Sequence, residues 1–212
     1  MKRTTCKIFS DASYDHITGK CGYGVAIVMK DLCILKYGSI NKVKSSCEAE
    51  ILAAKKGLDY LNTKEFRMLC RPVRKVVLLS DNYCVKAFDQ DSKTAEKWGR
   101  SQNKDKQRMK KIIDQMRKDS SKYDRGYEVF HITAHQDMKN LPEHEKDLYQ
   151  RQLEYKFNQW CDQSARKNLR YSLRGKKIIK TTGIPDPEPY SVDVPENSKI
   201  EWQSRKNLTQ NL

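Results

Sequence analysis

Val76-Val77-Leu78-Leu79-Ser80-Asp81 sets an unbroken apolar run directly against a carboxylate. Alternation is absent, so both faces of this segment need cover, as in the central strand of an α/β sheet and unlike a half-solvated antiparallel strand. Its acid falls at the carboxyl end of the strand, where open α/β sheets place their sites. Upstream, residues 6–12 and 22–29 alternate or run apolar, with Gly19, Gly22 and Gly24 punctuating the connection, and Leu32 to Tyr37 supplies a third run. That is the pattern of an antiparallel meander. Ser45-Ser46-Cys47-Glu48 then has capping-box spacing, and Ile51, Ala54, Leu58 and Leu61 follow as a helical stripe, so the first helix starts near Ser46.

Beyond Asp81 the pattern predicts a short helical stretch to about Gln90 and a polar, basic connection around Trp98. Met109, Ile112, Ile113 and Met116 are spaced for a second amphipathic helix with a basic back. Tyr127 to Ala134 reads as the last strand. Leu153, Phe157, Trp160, Cys161 and Ser164 mark one face of a final long helix. From about Thr181 the composition changes: four of the six prolines (185, 187, 189 and 195) fall there, with three basic and five acidic residues. A largely extended tail or partner-binding segment is expected there. The domain division is residues 1–172 as one α/β unit and 173–212 as a basic, then Pro-rich, extension.

The chain has 212 residues, with 42 Lys and Arg against 27 Asp and Glu, a formal charge of +15. The excess is clustered: residues 92–125 hold twelve basic and five acidic side chains, and residues 166–180 seven basic and none acidic. Clustered positive charge favours a polyanion such as nucleic acid over a merely solubilising surface. The seven cysteines (6, 21, 33, 47, 70, 84 and 161) are odd in number and show no Cys-x-x-Cys spacing. Neither a zinc knuckle nor a disulfide scaffold is expected, and a reducing intracellular compartment, cytoplasm or nucleus, fits best. No apolar run approaches the ~20 residues of a membrane span, and Met1-Lys2-Arg3-Thr4 enters a strand without a signal-peptide core.

Four carboxylates in four separate segments adjoin these apolar elements: Asp11 in Ile8-Phe9-Ser10-Asp11-Ala12-Ser13, Glu50 in Ala49-Glu50-Ile51-Leu52-Ala53, Asp81, and Asp162 in Asn158-Gln159-Trp160-Cys161-Asp162. Brought together they form an oxygen-rich cluster suited to Mg²⁺ or Mn²⁺. Taken singly, Asp81 also suits the cap of a following helix and Asp162 a solvated helix acid. Glu48 competes with Glu50, but three residues after Ser45 it occupies the capping-box position.

The order Asp, Glu, Asp, Asp over residues 5–170, with Glu-Ile-Leu-Ala at the second acid, resembles a ribonuclease H of type 1. The resemblance implies a ribonuclease H-like α/β fold, a five-stranded mixed sheet of three antiparallel and then two parallel strands flanked by helices. It implies an endonuclease that hydrolyses the RNA strand of RNA–DNA hybrids with two Mg²⁺ or Mn²⁺ ions held by Asp11, Glu50, Asp81 and Asp162. His135, closing His131-Ile132-Thr133-Ala134-His135, stands where the family carries a mobile catalytic histidine; His144 is its rival, and His131 is expected to be structural.

Several positions depart from the family. Ala12 replaces the usual Gly, and the 27 residues from His135 to Asp162 include an insertion with Pro142. Ser46 and Cys47 replace a polar pair before the Glu, and Tyr83 stands where a Gln is common. Ser13, Ser46 and Tyr83 are therefore candidate contacts to the hybrid in place of amides. Lys97, Trp98, Arg100, Lys104, Lys106, Arg108 and Lys110 lie where some relatives carry a substrate-holding protrusion, with Trp98 either a stacking residue or a packing anchor. The alternatives are a DNA or junction endonuclease of the same superfamily and a non-catalytic nucleic-acid-binding module. A protein partner for the tail is a further expectation.

Overall fold

Strand β1 (Thr4–Asp15) is the spine of the molecule, and its sequence explains why. Cys6, Ile8 and Phe9 are all but fully buried, so the strand presents apolar side chains to both faces of the sheet and requires cover on each. Residues 4–29, 32–69, 73–121, 123, 126–132 and 149–174 are described in this computed structural model. The other strands are β2 (Lys20–Met29), β3 (Leu32–Ile40), β4 (Val73–Ser80) and β5 (Tyr127–His131). Their order is β3-β2-β1-β4-β5; β1 to β3 are antiparallel, and β4 and β5 add on in parallel. This is the expected mixed five-stranded sheet.

The helices are α1 (Ser46–Leu61), α2 (Lys64–Leu69), α3 (Lys93–Gly99), α4 (Lys104–Ser120) and α5 (Tyr149–Leu173), with a 3₁₀ turn at Tyr83–Phe88. Ile51, Ala54, Leu58 and Leu61 of α1 join Met109, Ile113 and Met116 of α4 over Ile8, Val25, Val76 and Leu78 on one face. On the other face Phe157 and Cys161 of α5 meet Phe9, Ala26, Val77 and Leu79. The Phe9 and Phe157 ring centroids are 5.3 Å apart, a pairing that contributes about 0.5–1.5 kcal/mol beyond its area burial.

Three elements differ from their sequence patterns. Gly22 and Gly24 do not punctuate a connection; they lie inside β2, where a β-carbon would collide with the backbone of α5 at Ala165, Asn168 and Leu169 and at Cys161, respectively. The helix settles onto β2 because these positions carry no side chain. The segment around Trp98 is helix α3, capped by Ser92, whose Oγ accepts from the Ala95 N–H at 3.1 Å. After Asp81 the chain forms a tight 3₁₀ turn capped by Asn82, whose Oδ1 accepts from the Cys84 N–H at 2.9 Å. Strand β5 ends at His131, with the Ile132 N–H still bonded to the Ser80 carbonyl at 3.0 Å. The expected continuation to Ala134, the insertion around Pro142 and the tail after Thr181 lie outside the described residues.

Candidate active site

The register of the sheet brings the first and third carboxylates together. The last parallel pair between β1 and β4 is Phe9 with Leu79, and Asp11 and Asp81 each follow two residues later, where the strands part. From Ser10 on, β1 continues along β2 alone, with Asp11 opposite Gly24. Asp11 is 7% exposed, and its Oδ1 accepts from the Ala12 N–H at 2.7 Å. The neighbouring Asp81 is half-buried.

Helix α1 delivers two buried acids to different ends. Glu48 is held by the helix start: its N–H donates to Ser45 Oγ at 3.1 Å, its Oε2 accepts from the Lys44 N–H at 2.8 Å, and Arg108 Nε of α4 lies 2.7 Å from Oε1. Glu50, half a turn on, is 6% exposed and faces Asp11, while its Oε2 is buried without a hydrogen-bond partner. Burial raises the Glu50 carboxyl far above the ordinary range, and the charges of Asp11 and Asp81 raise it further. Asp11 is pushed up to about 7, first by burial and then by Asp81 and Asp162, against the Ala12 hydrogen bond. The two side chains share a hydrogen bond that favours protonated Glu50 donating to ionised Asp11. Without a cation, this pair therefore keeps a proton near neutral pH.

Asp162 follows the buried Cys161 on α5 and adds to the repulsion on Asp11. Its Oδ1 accepts from Arg166 Nε at 2.7 Å, one turn along the helix. Asp162 is thus turned toward a guanidinium, and among the described residues no group of three or more His, Cys, Asp or Glu side chains is set to hold a metal ion. The donor set itself fits a hard divalent cation: every group is a carboxylate, two share a proton for want of positive charge, and Glu50 Oε2 is an orphaned buried acceptor.

Other expected site residues distribute unevenly. Ser13 on β1 is half-buried, Ser46 at the start of α1 is exposed, and Tyr83 is 62% exposed beside Asp81. The Tyr83 ring stacks on His131 with centroids 4.1 Å apart, and Lys86 Nζ sits 4.5 Å from its centroid. His131 Nε2 donates to the Asp81 carbonyl at 2.9 Å, so it braces the third acid, a contact that its place in the sequence did not single out. His135 and His144 fall outside the described residues.

Trp98 requires correction as a substrate-stacking residue: at 7% exposure its indole packs into the core with Phe88 and Met109, the packing-anchor reading. Arg108, exposed on α4, has its Nε 2.7 Å from Glu48 Oε1. Lys110 pairs with Asp114 at 2.6 Å and Arg100 with Glu96 at 2.6 Å; Lys97 and Lys104 are exposed and Lys106 half-buried. Cys47 and Cys84 are bonded, 37 residues apart in sequence, a single pairing that spacing alone does not reveal and that makes no disulfide scaffold. Arg166 was legible only as one of a basic run; its position four residues after Asp162 on a helix was the available signal.

Comparison with known proteins agrees with the fold. A family model described as RNase H matches residues 3–170. The fold is similar to RNase H1 from the halophilic archaeon Halobacterium salinarum NRC-1, with TM-score 0.52 and 13% identity over 78% of this chain and 98% of that one. It is also similar to the N-terminal RNase H domain of Rv2228c from Mycobacterium tuberculosis, with TM-score 0.50 and 12% identity over 81% of this chain and 97% of that one. LC11-RNase H1 from compost gives TM-score 0.50 and 13% identity over 80% and 98%. No curated protein sequence matches the chain.

Proposed function

This chain belongs to the RNase H family, and on that premise we propose that it is an endonuclease cutting the RNA strand of RNA–DNA hybrids with two Mg²⁺ or Mn²⁺ ions. The observation that carries the proposal is the burial of Asp11 and Glu50 against one another beside Asp81, with Glu50 Oε2 left without a hydrogen-bond partner. Asp11, Glu50, Asp81 and Asp162 are the proposed ligands. Two ions bound there supply an activated water, neutralise the phosphate and assist the leaving oxygen.

The chain's own residues set the rest. Ala12 N–H orients Asp11, and His131 fixes the Asp81 backbone. A proton held by Asp11 and Glu50 would compete with cations for their oxygens, so loading would release protons and weaken as pH falls. Were Asp162 to hold an ion through Oδ1, Arg166 would have to give that oxygen up. Ser13, Ser46 and Tyr83 are proposed to meet the hybrid, with RNA distinguished by its 2′-hydroxyls. Lys97, Lys104 and Lys106 are proposed phosphate contacts, and His135 the proton-transfer histidine that the resemblance implies. We place the protein in a reducing intracellular compartment, with residues 173–212 as an extension available to a protein partner.

The Arg166–Asp162 pair is the one observation favouring a non-catalytic binding module, since it gives the fourth acid a partner within the chain. Cleavage of a fluorescent hybrid, compared with duplex DNA and duplex RNA in Mg²⁺ and in chelator, decides between the readings. Hybrid-selective, chelator-sensitive cleavage with 5′-phosphate products supports the nuclease; tight hybrid binding without cleavage in Mg²⁺ or Mn²⁺ supports the module.

A further inference from the structure

Cys47 and Cys84 meet between the two segments that carry Glu50 and Asp81. Cys47 lies three residues before Glu50 in the first turn of α1, and Cys84 three residues after Asp81 in the 3₁₀ turn. Their sulfurs are bonded and their Cα atoms are 5.7 Å apart, inside the usual disulfide range. Both residues are half-buried, whereas Cys6, Cys21, Cys33 and Cys161 are all buried. A reagent from solution therefore reaches this pair in preference to those four. The flanking elements do not depend on the bond to stay together, because both residues also pack against the core formed by α1, α4 and the 3₁₀ turn.

We propose that Cys47 and Cys84 form a reversible redox modification site, closed by a low-molecular-weight disulfide and opened by thiols, whose closed form braces the Glu50 and Asp81 segments and tightens divalent-cation binding. The effect on cation binding rests on the proposed nuclease reading; closure of the bond does not. One cysteine thiolate attacks a sulfur of the reagent, forming a mixed disulfide and expelling the first reagent thiolate. The second cysteine thiolate then attacks the protein sulfur of that mixed disulfide, forming Cys47–Cys84 and expelling the second. The two cysteine protons end on the two released thiols, and two electrons pass from the pair to the reagent.

The test equilibrates the full chain in reduced or oxidised glutathione, then removes the glutathione. Three readouts follow: mapping of linked peptides, melting in chelator, and calorimetric titration with Mn²⁺ alone. Oxidation should yield the Cys47–Cys84 peptide, raise the melting temperature by roughly 5–10 °C as closure of a 37-residue separation implies, and tighten Mn²⁺ binding by about threefold or more through preorganisation. Cys84→Ser and Cys47→Ser should each remove the redox dependence of both measurements. Failure to form the linked peptide in oxidised glutathione overturns the proposal, and so does a linked protein whose Mn²⁺ affinity equals that of the reduced form. Hybrid cleavage is not among these readouts, so an inactive protein that still binds Mn²⁺ in a redox-dependent way removes the proposed cleavage and leaves the cation site and its redox control standing.

Discussion

Two buried acids on the same helix, Glu48 and Glu50, are treated in opposite ways. Glu48 receives a backbone N–H from Lys44 and a guanidinium from Arg108, so its charge is answered within the chain. Glu50 receives only Asp11, another acid, and answers it by holding a proton. A fold spends carboxylates of the first kind on its own stability; a carboxylate of the second kind is stable only if it stays protonated or if a cation arrives. The difference separates a structural acid from a candidate ligand without reference to any relative.

The contrast breaks most sharply at the chemistry. Asp81→Asn and Glu50→Gln should keep the fold and hybrid binding yet lower cleavage by more than about a hundredfold, as loss of groups that stabilise charge in a reaction does. Glu48→Gln should leave the rate near that of the parent protein. A steady-state assay on a fluorescent hybrid in Mg²⁺ checks all three, and a Glu48 variant as dead as the Glu50 one would erase the distinction.

The next largest effect concerns stability in chelator. Asp11 is raised from 3.8 to about 7, so between those values the folded state holds more protons than the unfolded one. Its contribution is fully present below about pH 4 and is lost as pH rises through about 7, by a few kcal/mol. Melting followed from pH 4 to 8 in chelator should show this loss, Mg²⁺ should reverse it by binding the native state, and Glu50→Gln should flatten the curve. A metal-free stability that climbs over that window would contradict the shared proton.

How much of this was legible beforehand depends on how each element announces itself. The unbroken Val76–Ser80 run and the Ile51, Ala54, Leu58, Leu61 stripe declared a central strand and the first helix, because many residues repeat one message. Helix α2, six residues long, is too short for a period to register. Helix α3 hides behind charged neighbours, with Trp98 its single buried residue. Of the site, the four acids were visible as types at positions. The contacts around them were not, because Lys44 with Glu48, Arg108 with Glu48, and Cys47 with Cys84 are tertiary or cap contacts that periodicity does not encode.

The same contrast divides the basic residues, with a smaller expected effect. Neutralising Lys104 and Lys106 should reduce the slope of log affinity against log salt by about 1.5–2 units if each holds one phosphate. Arg108→Gln should leave that slope alone and instead lower stability, since its partner is Glu48. Hybrid binding measured across salt concentrations, paired with melting curves, separates the two. Glu48→Gln belongs at this scale too, with a loss of about 1–2 kcal/mol from the start of α1. Smallest of all, deleting residues 181–212, which contain none of the acids compared here, should leave hybrid cleavage within a few-fold; a collapse in rate would show that the tail packs on the domain.

The approach of α5 to Gly22 and Gly24 bears on how this chain tolerates change. At this seam main chain rests on main chain, with no side-chain volume between to be traded. The height of Asp162 above Asp11 is consequently indexed by peptide geometry, much as a machined shoulder sets a shaft. Substitutions along the outer side of α5 can accumulate without moving the fourth acid, whereas a single methyl at position 24 lifts the helix and with it the whole alignment.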